Sequence, residues 1–301
     1  MMEYRLKKGY TGALVGIFGN LGIFLVKLYI ATLTNSVSIM SDAFHTLSDL
    51  STSIAVMVGF YLSSRVDRKN YPFGLGRAEY LASFVVAIIL IFAGVDMLIE
   101  SYERFIHPVA VDVGFLMIFV MVLTIVTKEA MAIFAWKIAK NIDSLSLEAD
   151  AWHHHTDALS TVAVIIAVVL ADYGYQYADT VVGGGIAILL IYIGSKIAWK
   201  SGENIVGKSR KDMSKIIVNI ASRIEGVLNV HNVVVHDYGN MFYITLHIYL
   251  GSNITLNHAH EIASKVELEI KKEIPNSHVV IHMEPLSSSM HEPSVYCYDN
   301  S

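Results

Sequence analysis

Two short stretches hold the residues best suited to binding a cation, and both lie inside apolar runs. Residues 41–49 read Ser-Asp-Ala-Phe-His-Thr-Leu-Ser-Asp, and residues 149–157 read Ala-Asp-Ala-Trp-His-His-His-Thr-Asp. His45 and Asp49 are four apart, as are His153 and Asp157. On a helix that spacing shares one face, so each pair offers an imidazole nitrogen and a carboxylate oxygen to a single ion. Ionisable groups inside a bilayer are costly and mark ion or proton pathways. Two nitrogens and two oxygens suit tetrahedral Zn2+. Co2+ and Cd2+ accept the same set, and ligand type alone leaves Fe2+ and Mn2+ open. Metal binding needs the imidazole neutral and the carboxylate ionised, so protons compete with metal. A site open alternately to each side of a membrane then exchanges Zn2+ for H+.

The elements that must position these pairs follow from composition. Hydrophobic residues make up 54% of the 301 and charged residues 16%, against about 25% charged in soluble domains. The excess of apolar surface needs a solvent other than water. A net charge of −5 gives no nucleic-acid footprint. The lone cysteine, Cys297, excludes an internal disulfide. A spanning helix needs about 20 mostly apolar residues. Six segments qualify: 11–33, 36–62, 78–102, 111–138, 144–171 and 178–200. The second and fifth are the least apolar, because they carry the His and Asp residues. The run 11–33 is too long for a signal-peptide core and reads as a retained first helix.

Arg5, Lys7, Lys8, Arg65, Lys69, Arg77, Lys137, Lys140, Lys196 and Lys200 fall on one side of these spans and Arg104 on the other. That asymmetry puts both termini in the cytoplasm. Lys27 and Lys128 fall within spans, toward their ends, where long side chains snorkel. Helices rise about 1.5 Å per residue, which sets His45 about 14 Å and Asp49 about 20 Å deep from the outer face. His153 and Asp157 reach about the same depths from the inner face. Both pairs straddle the midplane of a hydrocarbon layer about 30 Å thick, on antiparallel helices. Asp42 and Asp150, three residues before each His, either orient the imidazoles or cap and pair with neighbours. His154 and His155 point away from His153. Asn20 is placed to hydrogen-bond across the bundle, and Gly183-Gly184-Gly185 to let another helix approach closely.

Beyond residue 208 charges return and runs shorten. Residues 211–224 have helical periodicity, 230–237 and 241–250 alternate like strands around a Tyr238-Gly239-Asn240 turn, 255–273 form an amphipathic helix with Asn253 as its cap, and 278–283 a last strand. The order α-β-β-α-β predicts a small α+β domain with its helices on one sheet face. Three regions result: a six-helix transmembrane domain over 1–207, an α+β domain over 208–285 and a flexible tail over 286–301.

The chain resembles the cation diffusion facilitators over nearly all of residues 8–285. The two His–Asp stretches carry the likeness, together with Tyr71-Pro72-Phe73-Gly74-Leu75-Gly76-Arg77-Ala78-Glu79, which resembles the family's loop into the third helix. The resemblance implies a homodimer in a bacterial or archaeal cell membrane. It implies a metallochaperone-like cytoplasmic domain, and Zn2+ leaving the cytoplasm as protons enter. It carries the transport-ligand role to His45, Asp49, His153 and Asp157, a set similar to the zinc-preferring branch. It carries cytoplasmic zinc ligands to His231, His247, His260, His282 and Glu284, where Glu284 replaces a common Asp. Arg65-Val66-Asp67-Arg68-Lys69-Asn70 has no His, so the further metal site of some relatives is not expected. His236 stays unassigned.

Rival readings are a Mn2+ or Fe2+ carrier of the same family, a membrane-tethered metal sensor, and an intramembrane zinc hydrolase. The hydrolase needs an open zinc position and a general base, usually on a His-Glu-x-x-His helix, and no such sequence occurs. The expectation is a secondary transporter rather than an enzyme.

Overall fold

The computed structural model describes residues 2–34, 36–65, 69–106, 115–172, 178–239 and 241–286. Asn240 and most of the expected tail, 287–301, lie outside the described residues. The chain forms two compact units, one of Met1–Arg65 with Arg77–Glu203 and the other of Val66–Gly76 with Asn204–Ser301.

The first unit is helical: α1 (Met2–Thr34), α2 (Val37–Ser48), α3 (Leu50–Ser64), α4 (Ala78–Ile106), α5 (Phe115–Ile142), α6 (Leu145–Asp172) and α7 (Ala178–Val206). Its core joins Ala13, Val56, Phe60, Leu90, Leu147 and Ile193 from different helices. Large apolar side chains also cover the outside, among them Phe18, Leu25, Phe92, Val126, Val181 and Tyr192. A helix surface that is apolar outward as well as inward is stable against lipid, not water. Among the described residues, four helices are long and apolar enough to cross a membrane: Glu3–Thr34, Ala78–Ile106, Leu116–Ile142 and Thr180–Val206.

The expected second span, 36–62, is two helices that meet at Asp49. The Asp49 amide still bonds the His45 carbonyl at 3.1 Å, but the next turn is loose, with the Thr52 amide 3.4 Å from the Asp49 carbonyl. The Thr52 hydroxyl, 3.0 Å from the same carbonyl, covers the acceptor that the break exposes. A side chain inserted into the helical ladder is a recognised cause of a kink.

The second unit follows the expected order. Helix α8 (Lys211–Ala221) precedes β1 (Asn229–Asp237), β2 (Phe242–Gly251), α9 (Leu256–Glu273) and β3 (Ser277–Leu286). The sheet runs β1-β2-β3, with β1 antiparallel and β3 parallel to β2. Ile244, Leu246 and Ile248 of β2 pack with Ile217 of α8 and with Val266 and Ile270 of α9. The alternate residues, Thr245, His247 and Tyr249, belong to the opposite face. The cap of α9 is Thr255, not Asn253: the Thr255 hydroxyl accepts from the His258 amide at 3.3 Å. Thr255 immediately precedes the helix, where a side chain can reach the third helical amide. The β1–β2 turn uses Gly239 at φ +77, a left-handed conformation that favours glycine.

Candidate metal centre

Helices α5 and α6 form a tight antiparallel hairpin. Asp143 takes a φ of 49 at the turn, and the Ser144 amide bonds the Ala139 carbonyl at 3.0 Å. Helix α6 then carries His153 and Asp157 on one face, and the break between α2 and α3 delivers Asp49 to the same place. His153 Nε2 lies 3.6 Å from Asp49 Oδ1 and 3.6 Å from Asp157 Oδ2. One donor atom from each residue falls within 4.8 Å of the others. Both ring nitrogens of His153 are buried without a hydrogen-bond partner. A buried imidazole in that state has a lone pair to offer, and carboxylates on either side complete an N,O donor set for a borderline cation. His45 stands apart: its side chain is 73% exposed, and its Nε2 is 4.0 Å from Asp49 Oδ1.

Lys128 of α5 occupies the centre of this group. Its Nζ donates to Asp49 Oδ2 and to Asp157 Oδ2, each at 2.6 Å, and its side chain is 1% exposed. The expectation of a snorkelling Lys128 is therefore wrong. Two carboxylates buried side by side need a cation between them more than the lysine needs water. Lys27 does not snorkel either, being buried against Asp42 at 2.8 Å and the Thr46 hydroxyl at 2.9 Å. One signal for Lys128 was present in the sequence. It lies fifteen residues before the hairpin turn at Asp143, and Asp157 lies fourteen after it, so the two reach the same height.

Asp42 and Asp150 pair with other neighbours than His45 and His153. Asp42 takes Lys27. Asp150, fully buried, accepts from Thr52 at 2.9 Å and Ser53 at 3.1 Å, with His154 Nε2 at 3.4 Å. His155 packs between Trp136 and Trp152 and reaches Glu129 at 2.8 Å. Asn20 is buried, but neither its amide nitrogen nor its oxygen has a hydrogen-bond partner among the described residues, so the expected bond across the bundle is not seen there.

The tail unit gathers a second group. The strand register puts His231 opposite His247 and His247 opposite His282, a row of three imidazoles across the sheet. Glu284 lies two residues along β3. Its Oε1 is 2.7 Å from His247 Nδ1 and 3.6 Å from His282 Nε2, and its Oε2 is 3.5 Å from His231 Nε2. His231, His247 and Glu284 each place a donor within 4.8 Å of the others. Burial holds His231 below the usual histidine pKa, helped by the neighbouring His247 and His282 and opposed by Glu284. Burial would raise Glu284, but the His247 hydrogen bond and the surrounding imidazoles hold it below the ordinary carboxylate value. His260, on α9, lies outside this group, with its Nε2 3.5 Å from the Ser264 hydroxyl.

Residues 13–206 match the model of the cation efflux transmembrane domain, and residues 210–286 that of the cation efflux protein cytoplasmic domain. The chain belongs to the cation efflux (cation diffusion facilitator) family. This cation efflux protein is 30% identical over 269 residues to the uncharacterized transporter MJ0449 of Methanocaldococcus jannaschii, covering 88% of this chain and 95% of that protein. It is 24% identical over 266 residues to the cation-efflux pump FieF of Klebsiella pneumoniae, covering 88% and 89%. A solved structure of the MamM CTD aligns with 25% of the chain and 95% of its own length, at 24% identity and a TM-score of 0.24. The cation efflux protein is thus a membrane-embedded transporter with a small cytoplasmic α/β domain.

Proposed function

We propose that the protein exports Zn2+ from the cytoplasm in exchange for protons, as a homodimer. The observation that carries this reading is the meeting of Asp49, His153 and Asp157 donors within 4.8 Å, inside an otherwise apolar helical unit. His45, one turn before Asp49, supplies the fourth ligand and makes the set two nitrogens and two oxygens. Histidine in both pairs favours Zn2+ over harder ions. The two imidazoles take up protons when the metal leaves, which couples the two fluxes.

In this reading six spans cross the membrane: α1, α2 with α3, α4, α5, α6 and α7. Both termini face the cytoplasm. The transport domain occupies 1–207, the cytoplasmic domain 208–285 and a flexible tail 286–301. His231, His247, His282 and Glu284 hold cytoplasmic Zn2+, and His260, on α9 behind the sheet, stays out of the set. That metal braces the dimer or senses metal load.

Reconstituted Zn2+ flux tests the proposal. The intact chain should move Zn2+ faster when an opposing proton gradient is imposed, and Asp49→Ala should abolish the flux. Uptake indifferent to the proton gradient would remove the exchange, and undiminished flux in Asp49→Ala would remove the site. Competition by Mn2+ or Fe2+ that equalled Zn2+ would reassign the cargo.

A further inference from the structure

We propose that Lys128 is a tethered counter-cation: its ammonium takes the Asp49 and Asp157 oxygens between cargo ions and swings off them as a divalent ion enters. The inference rests on the transport reading above and assigns to a residue on a third helix the moderation of how tightly the ion is held.

The geometry leaves little choice. Nζ is 2.6 Å from one oxygen of each carboxylate, and all three groups are largely withdrawn from solvent. His153 Nε2 lies 3.6 Å from that same Asp157 Oδ2 and from the other oxygen of Asp49. An ion bound by His153, Asp49 and Asp157 would therefore use the Asp157 oxygen that the ammonium holds and the other oxygen of Asp49, so both cations draw on the same two carboxylates. Two like charges cannot share them in a low-dielectric site without strong repulsion. One of the two has to move, and lysine is built for it: a compact charge on a flexible four-carbon stem can turn aside without moving its helix. Two buried carboxylates left bare between ions would carry a heavy desolvation cost, which the ammonium relieves. Every divalent ion that binds must then displace a bonded cation, so Lys128 weakens binding and speeds release. A carrier needs such moderation, since an ion held too tightly is not delivered.

A purely structural brace makes the opposite forecast. Removing a brace loosens the site, so the KM for metal rises or the maximal rate falls with KM unchanged. Removing a competitor tightens the site. Zn2+ flux into proteoliposomes should show, for Lys128→Gln and Lys128→Met, a KM lowered by about tenfold or more, the effect of roughly one lost competing interaction, together with a lower maximal rate. An unchanged or raised KM in variants that elute like the intact chain overturns the inference. If neither variant folds, a Zn2+-loaded structure of the unaltered chain decides. Nζ beyond hydrogen-bonding reach of both carboxylates supports the displacement, and Nζ still bonded to both beside the metal overturns it. An intact chain that moves no divalent ion overturns the transport reading and this inference with it, whereas metal flux with an unmoved KM sinks this inference alone.

Discussion

Asp150 shows how a charge next to a candidate metal centre can serve the scaffold. It accepts from Thr52 and Ser53 on α3 while sitting on α6, so it ties α6 to the helix that Asp49 immediately precedes. Nothing larger than glycine fits opposite: a Cβ on Gly16 would fall 2.3 Å from Ser53 Oγ and 3.2 Å from Asp150 Oδ2. Asp150→Ala would leave the Ser53 hydroxyl and His154 without their acceptor and the Thr52 hydroxyl with the Asp49 carbonyl alone, at about 1–3 kcal/mol for each unsatisfied group. Thermal unfolding in detergent should show a clearly lowered midpoint for Asp150→Ala and a smaller loss for Asp150→Asn, which keeps an acceptor. A midpoint equal to that of the intact chain would remove the scaffold role. The buried pair Arg5–Glu79, at 2.7 Å, works similarly between α1 and α4, with the Arg5 Nε also donating to the Ile142 carbonyl at 3.1 Å. Glu79→Ala strands the Arg5 guanidinium and should cost about 3–5 kcal/mol in the same assay.

At the scale of elements, the apolar runs and the His–Asp spacing are legible in the sequence, and the break inside the second span is not. Asp49 divides that span into α2 of 12 residues and α3 of 15, each too short to cross a membrane alone. The break at Asp49 had no Gly or Pro to announce it, being made by Thr52 and the tertiary pull of Lys128. The role of Lys128 depends on the α5–α6 hairpin register, which sets its height and which position within a span does not reveal. Within the Gly183-Gly184-Gly185 run the close approach is at Gly183, where a Cβ would lie 2.8 Å from Ser101 Oγ on α4, while one on Gly184 or Gly185 meets nothing within 4 Å among the described residues. Backbone approach is close further along α4 and α7: a Cβ on Gly94 would lie 2.8 Å from Ile191 and 3.0 Å from the Ala187 carbonyl, and one on Gly194 would meet Ile91 and Ala87 at the same distances. Small residues that let backbones approach drive helix association in lipid. Gly194→Val should sharply reduce the monodisperse fraction in gel filtration, while Gly184→Ala should leave it within error. Equal behaviour of the two variants would put the close approach elsewhere.

For the whole molecule, the proposed function asks two metal groups to work in very different solvents, one among apolar helices and one on an open sheet face. Protons should therefore act on them differently, and the tail group allows the sign to be worked out. His231 is shifted down, so its neutral, metal-binding form persists to lower pH than that of a free imidazole. Glu284 is also shifted down and stays ionised wherever histidine titrates. Both shifts run the same way: the fold takes up protons less readily than the unfolded chain at these groups, so their contribution is complete above the unfolded values and lost as pH falls through the folded ones. Metal binding to the tail should accordingly hold level through neutral pH and decline only in acid. The measurement is Zn2+ stoichiometry in a chain carrying Asp49→Ala and Asp157→Ala, which silences the membrane group. Occupancy should stay constant from about pH 8 to about 6.5, the ordinary histidine value, and fall below it. Adding His247→Ala should abolish it at every pH, because His247 is the centre of the row and the partner of Glu284. Occupancy already falling between about pH 8 and 7 would mean that protons win more easily than these shifts allow, and that the ligands lie on other residues.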